Sequence, residues 1–436
     1  MTTPRYPSGC PAMSQVPGDL PAWSSSAAWG VNFNNGNVKN NHRNNNGFAL
    51  AVRSVRRPGE FQGDIMEEVT LRALHAAWQR ARRQKVPSHN QRAFEDRWGD
   101  HLIELQAEIA AHSWSPRPST CFIATRPKAR EIHAPDFGDR VVHHWLVPQL
   151  EAIYEPGFIH DSYANRRGKG THAAVRRLQQ FVRQVHSGQP DGWYLQLDVH
   201  NFFNSIHRPT LWSMLKPRLQ RASLGACAQH VTHALLRSEP LQACVRVRAT
   251  AAELAQVPAH KQLANAAPGF GLPIGNLSSQ FFANVYLDAL DQFAKHTLRA
   301  RRYLRYVDDF VIVHHCRDTL ADWQRRIEAF LAERLRLRLK PETRLARLRD
   351  GIDFLGYVVR PTHTLVRRRV VAHAVEALAA WEAQHVERGR AHPTADALAQ
   401  IRATLASYRG HFQHANSHRL QQQLQARFPW IQEIAA

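Results

Sequence analysis

The spacing of apolar positions changes several times along this chain, and each change marks a different element. From Glu67 the run EEVTLRALHAAWQRARRQ repeats apolar residues three and four apart, which predicts an amphipathic helix. FEDRWGDHLIELQAEIAAHSW predicts a second helix, ended by Ser115-Pro116-Arg117-Pro118. Between 120 and 360 short apolar runs alternate with helical ones. CFIAT, WYLQLDV, RYLRYVDDFVIVHH and IDFLGYVV predict strands, whereas THAAVRRLQQFVRQVH, SSQFFANVYLDALDQFAKHT and DWQRRIEAFLAERLRL predict helices. The expected fold class is therefore α+β, with an antiparallel sheet backed by helices. After Arg367 the helical spacing returns in AHAVEALAAWEAQHVERGR and ADALAQIRATLASYRGHFQ, and no repeat of fixed period is present. The stretch LQACVRVRATAAELAQVPAHKQLANAAPGF has no periodicity from which to assign an element.

Residues 1–60 lie apart from this pattern. Pro, Ser and Gly dominate the first 25 positions, as in a flexible leader. Nine of the fifteen residues from Asn32 to Asn46 are Asn, which disfavours helix and strand alike. GFALAVRSV then alternates like a short strand.

Charge narrows the class of partner. Lys and Arg total 57 against 36 acidic residues, a formal net charge of +21 with a pI near 10.6. Such an excess attracts a polyanion and holds it through counterion release, so nucleic acid is the first candidate and an anionic membrane surface the second. No apolar run reaches the ~20 residues that span a bilayer, and the N-terminus lacks the pattern of a secretory signal, so a cytoplasmic setting is expected. Cys10, Cys121, Cys227, Cys244 and Cys316 are widely separated with no C-x-x-C pair, which argues against a disulfide framework or a structural zinc site.

The candidate chemistry lies in two strands. RYVDDFVIV holds Asp308 and Asp309 within an aromatic and β-branched run, and YLQLDVHNFFNSI holds Asp198 as its sole acid. Adjacent carboxylates in an apolar strand repel and lose hydration; a divalent cation removes both objections. The alternative is a hairpin tip, where Asp-Asp is common. If the two strands lie side by side, the three aspartates form a magnesium site of the carboxylate-and-phosphate type.

These residues resemble the reverse transcriptases, the RNA-directed DNA polymerases. Tyr306 to Asp309 match the family's Y-x-D-D signature and LDVHNFFNS its other metal-binding motif. REIHAPDFGDRVVHHW and YANRRGKGTHAAVRRL resemble the preceding finger motifs; LRLRLKPETRLARL and DFLGY resemble those that follow. The resemblance covers roughly residues 120–420. It implies a right-hand polymerase with fingers, palm and helical thumb, and two Mg2+ ions held by Asp198, Asp308 and Asp309. One ion activates the primer 3′-hydroxyl and the other steadies the leaving pyrophosphate. It places Phe203 as a steric gate against a 2′-hydroxyl, Lys128, Arg130 and Arg126 at the incoming dNTP, and Lys340 as general acid for pyrophosphate. Tyr306, Gly356, Tyr408 and Arg409 fall toward the template RNA and the cDNA or primer. The layout expected is a leader over 1–60, a helical region over 61–115, fingers and palm over 116–358, and a thumb over 359–436.

One segment departs from the commoner family pattern. Where most members resemble Q-G-x-x-x-S-P, this chain has Ile274-Gly275-Asn276-Leu277-Ser278-Ser279-Gln280. That form resembles the enzymes of diversity-generating retroelements, which miscopy template adenines, and it implies Ile274, Gly275 and Gln280 beside the nucleotide and a small basic accessory protein as partner. The Asn-rich segment from Trp29 to Val55 looks like a translated template repeat of such an element, or a polar linker. Two rival readings remain open: an antiphage, retron-like or group II intron-like reverse transcriptase, and a non-catalytic RNA-binding scaffold. No membrane partner is expected.

Overall fold

The computed structural model describes residues 69–83, 86–125, 128–188, 191–239 and 246–435. The leader, its Asn-rich segment and Arg126 lie outside the described residues. Strands in chain order are β1 Thr120–Ala124, β2 Arg130–Ala134, β3 Trp193–Asp198, β4 Arg246–Val247, β5 Tyr303–Tyr306, β6 Asp309–His314, β7 Arg344–Arg347, β8 Ile352–Phe354, β9 Tyr357–Val359, β10 Thr364–Val366, β11 Val386–Glu387 and β12 Arg390–Ala391. The described chain divides into two compact units, one formed by 69–157 with Ile206–Val285, the other by Phe158–Ser205 with 286–435.

In the first unit the N-terminal periodicity resolves into helices Leu71–Arg82, His89–Asp96 and Trp98–Ala110. Thr70 and Ser88 cap the first two by accepting from Ala73 N–H and Gln91 N–H. Leu74, Ala77, Trp78 and Ala81 face inward, and the Trp78 ring stacks on Trp98 at 5.0 Å. The Pro-flanked stop after the third helix has a further job. Arg117 donates to Asp139 through its backbone N–H (2.6 Å) and its guanidinium (3.1 Å), and grips Glu108 at 2.8 Å, tying two helices through one side chain. β1 and β2 pair antiparallel, and β4 adds to β1 in parallel, so the unassigned insertion contributes a short edge strand. A five-residue helix, Ala251–Ala255, and two single 3-10 turns follow it.

The second unit is built on a four-stranded sheet of order β5-β6-β3-β7, antiparallel throughout. Helix Thr171–Gly188 covers one face: Ala174, Val175, Leu178, Phe181, Val182 and Val185, at three- and four-residue spacing, pack with Tyr194, Leu304, Val311 and Val313. Helix Arg317–Leu335 packs against β3, β6 and β7, burying Leu320, Ile327 and Leu331. Two single-strand expectations are corrected. RYLRYVDDFVIVHH is a hairpin, β5 and β6 joined by Val307-Asp308, and IDFLGYVV is another, β8 and β9 joined by Leu355-Gly356. Both turns use left-handed backbone, at Val307 (φ 55°), Leu355 (φ 51°) and Gly356 (φ 89°). The Leu355-Gly356 turn lies among residues as apolar as the strands, whereas Asp308-Asp309 marked the first reversal only as an alternative reading.

The C-terminal helices Arg368–His385, Ala395–Phe412, His418–Arg427 and Trp430–Ala435 share their own core around Leu378, Trp381, Ile401, Tyr408, Phe412 and Trp430. Helix Ala395–Phe412 meets the β8–β9 hairpin where the Tyr357 ring stacks on His411 at 4.2 Å and its hydroxyl donates to the His411 carbonyl at 2.9 Å.

Candidate active site

Antiparallel register sets Asp198 directly opposite Asp309, at the ends of β3 and β6. Tyr306 pairs with the same Asp309 from β5, so Val307 and Asp308 form the two-residue turn just beyond. The expectation of a carboxylate cluster and the alternative of a hairpin tip thus describe one place. Like charges opposed across a ladder are destabilising, which marks the position as chemically unusual.

Neighbouring groups respond to this crowding. Burial, with Asp198 and Asp308 nearby, pushes the Asp309 carboxyl up to about 8 despite the amide of Gln196, which donates to it at 3.2 and 3.5 Å. Gln196 also donates to the Asp353 carbonyl at 3.0 Å, bracing the carboxylate against β8. One Asp198 oxygen pairs with the Lys340 ammonium, and the other is buried without a hydrogen-bond partner. Lys340 is delivered there by backbone pairing: its N–H donates to Asp198 O at 2.8 Å and His200 N–H to Arg338 O at 2.8 Å.

The turn is held from behind. Arg305, 1% exposed, donates to both oxygens of the fully buried Asp291 at 2.8 and 2.7 Å. Its remaining nitrogen, Nη1, donates to the Val307 carbonyl at 2.9 Å, and Nη2, shared with Asp291, also reaches Ser162 Oγ at 3.1 Å. Burial alone would lower the guanidinium's pKa; the bidentate carboxylate reverses that and raises it. A β-branched residue with φ of 55° costs on the order of 1–2 kcal/mol, and this brace keeps Val307 there.

An orphaned buried carboxylate oxygen, a carboxyl driven toward its neutral form and one lysine as counter-charge make a donor set suited to a hard divalent cation. The fit is loose: the three aspartates do not bring one oxygen each within 4.8 Å of one another.

The other residues singled out from sequence fall as follows. Phe203 is half-buried in the short helix Phe202–Ser205, which opens four residues after Asp198, its ring edge-on to Phe202 at 5.4 Å. Tyr306 is buried, its hydroxyl accepting from Thr171 Oγ1 at 3.1 Å. Gly356 lies against His411, whose ring a Cβ would meet at 3.0 Å. Tyr408 is buried in the helical core, and the adjacent Arg409 is exposed. In the first unit Lys128 and Arg130 are exposed at the β1–β2 connection. Ile274 belongs with them: its carbonyl accepts from His133 N–H on β2 at 2.7 Å. Gly275 follows with φ of 126°, and a Cβ there would stand 2.7 Å from the His133 carbonyl oxygen, so only glycine permits that approach. Gln280 is half-buried, and its side-chain oxygen has no hydrogen-bond partner.

Sequence reasoning missed Gln196, Arg305 and Asp291. Gln196 left a trace, as the lone polar residue two positions before Asp198 and therefore on its face of β3.

Residues 124–359 match the family model described as reverse transcriptase (RNA-dependent DNA polymerase). This chain belongs to the reverse transcriptase family. It is similar to Protein YkfC of Escherichia coli K12, with 22% identity over 326 residues, covering 65% of this chain and 76% of that protein. Among solved structures it is similar to a truncated apo telomerase of Candida tropicalis, with 12% identity, a TM-score of 0.43 and 62% of this chain covered. A Candida albicans telomerase in complex with a fragment of telomeric RNA aligns at 10% identity, a TM-score of 0.41 and 74% of this chain. The chain spans about three-fifths of these two telomerase chains (60% and 61%). No helix among the described residues is long and apolar enough to cross a membrane.

Proposed function

We propose that this reverse transcriptase copies RNA into DNA by two-metal nucleotidyl transfer and serves a diversity-generating retroelement. The observation that carries the catalytic part is the Asp198–Asp309 register with Asp308 at the adjoining turn. Bound Mg2+ would lower the pKa of the primer 3′-hydroxyl and offset charge on the departing pyrophosphate. Asp198, Asp308 and Asp309 are the residues that would hold it. Gln196 orients Asp309, and Arg305 fixes the turn that carries Asp308. Lys340, paired with Asp198, would give a proton to a leaving oxygen when the carboxylate turns to a cation. Phe203 presents its ring as the gate against a 2′-hydroxyl. Lys128 and Arg130, exposed cations, take the dNTP phosphates. Tyr306 and Gly356 act from behind as positioning residues, and Arg409 offers the exposed contact to the template–primer backbone.

The retroelement part rests on Ile274. An aliphatic side chain there cannot hydrogen-bond a base or sugar, which offers a route to looser base selection. A small basic accessory protein and a cytoplasmic setting belong to the same reading.

Primer extension on an RNA template with Mg2+ and dNTPs, beside Asp308→Ala/Asp309→Ala, tests both parts when the products are sequenced. Extension that disappears in the double variant, with errors concentrated at template adenines and reduced by Ile274→Gln, is the expected result. Extension with uniform errors, unmoved by Ile274→Gln, would remove the retroelement role and leave a defence-type or intron-type enzyme. No extension in the presence of native RNA and accessory protein would leave an RNA-binding scaffold.

A further inference from the structure

The β1–β2 ribbon of the first unit carries a second concentration of ligating atoms, unconnected with the aspartates. Cys121 and His133 are direct partners across the ribbon, and Glu131 lies two residues before His133. Period-two geometry therefore puts all three on one face. That face is inward: Cys121 is 0%, His133 1% and Glu131 3% exposed. Arg130, between them and the connection, points the other way and is exposed. Glu131 Oε2 accepts the Leu263 backbone N–H, which leaves Oε1 3.6 Å from Cys121 Sγ and 3.4 Å from His133 Nε2. Sulfur, imidazole nitrogen and carboxylate oxygen thus all lie within 4.8 Å of one another. Neither nitrogen of the buried His133 ring has a hydrogen-bond partner.

We infer that Cys121, Glu131 and His133 form a binding site for a divalent cation of borderline softness, of which Zn2+ is the type. Three points support this. The thiolate–imidazole–carboxylate donor set, three of the ligands of a tetrahedral site, is one that Zn2+ takes and that Mg2+ does not. A buried imidazole with no hydrogen-bond partner is costly, and coordination through Nε2 would satisfy one of its two nitrogens. A thiolate and a carboxylate together balance the two charges of the cation, so the filled site is neutral and tolerates its dry surroundings. The ion would clip the ribbon that carries Lys128 and Arg130 to the Leu263 segment, through the same carboxylate that already holds the Leu263 N–H. Its role is structural, because no described ligand reaches the surface.

The test is metal content and cobalt spectroscopy on full-length protein purified without a histidine tag. Elemental analysis after dialysis against a moderate chelator is expected to find one equivalent of zinc per chain, kept in Asp308→Ala/Asp309→Ala. Cys121→Ser and His133→Gln are expected to bind at least about 100-fold more weakly, since even an outer-shell change can cost that much. Replacing zinc with Co2+ should produce a thiolate-to-cobalt charge-transfer band. That band should survive in a variant with Cys10, Cys227, Cys244 and Cys316 all replaced by serine, an arm that leaves the buried cluster untouched if Cys121→Ser fails to fold. Absence of any retained metal or thiolate band in wild type overturns the inference. So does binding that persists in Cys121→Ser and His133→Gln but vanishes with the aspartates.

Discussion

Replacing Asp309 by asparagine should make the metal-free protein more stable at alkaline pH while abolishing extension. The unfolded carboxyl titrates near 3.8 and the folded one at about 8, so the native state binds the extra proton across that window. Stability is then fully present below pH 4, falls as pH rises toward 8 and is flat above. Four units correspond to about 5 kcal/mol, an upper bound because Asp309 keeps some solvent contact. Between pH 6 and 8 the loss is about 2 kcal/mol, or roughly 5 °C in Tm for a unit of this size. The substituted amide cannot ionise and has no such slope. Thermal melts in EDTA at several pH values, taken as the difference between wild type and variant, cancel other titrations such as that of buried Asp139, raised to about 7 by burial. Mg2+ should restore the wild type at pH 8 and leave Asp309→Asn unmoved. Parallel pH profiles for the two proteins would refute the idea that crowded carboxylates store this free energy.

Arg305→Met should destabilise by about 3–5 kcal/mol, since Asp291 is left buried without its counter-charge. Arg305→Lys keeps the charge but loses the Val307 contact, and single-turnover extension should slow by about 10–100-fold with the fold intact by circular dichroism. Gly275→Ala should cost about 1–3 kcal/mol, read as a lower Tm, because its Cβ meets the His133 carbonyl. Phe203→Ala should raise ribonucleotide incorporation at least about ten-fold in competition assays, with dNTP use largely retained.

Periodicity and two acidic motifs carried most of this architecture. The helices at 71–82, 98–110, 368–385 and 395–412 were legible because apolar residues recur on one stripe; the break at Arg97 and the pairing of Val386 with Ala391, both inside expected helices, were not. Asp198, Asp308 and Asp309 were legible because acids in apolar strands need a reason. The hairpin at Leu355 was hidden, and that at Val307 stood only as an alternative, because neither turn contains the usual Asn-Gly or Asp-Gly; at Val307 the Arg305 contact holds the reversal instead. Arg305 and Asp291 were hidden because a buried ion pair looks, in sequence, like two surface charges. The Cys121 cluster escaped the cysteine-spacing criterion because its ligands are one cysteine, one histidine and one glutamate, joined only when β1 pairs with β2.

The hook between Ile274 and β2 has a practical consequence. The position is anchored by main-chain atoms, through its own carbonyl and the glycine that follows. Neither anchor depends on which side chain stands at 274. A saturation library at this codon, with Tm measured beside misincorporation for each member, would separate the effect of the substituted group on copying from its effect on folding.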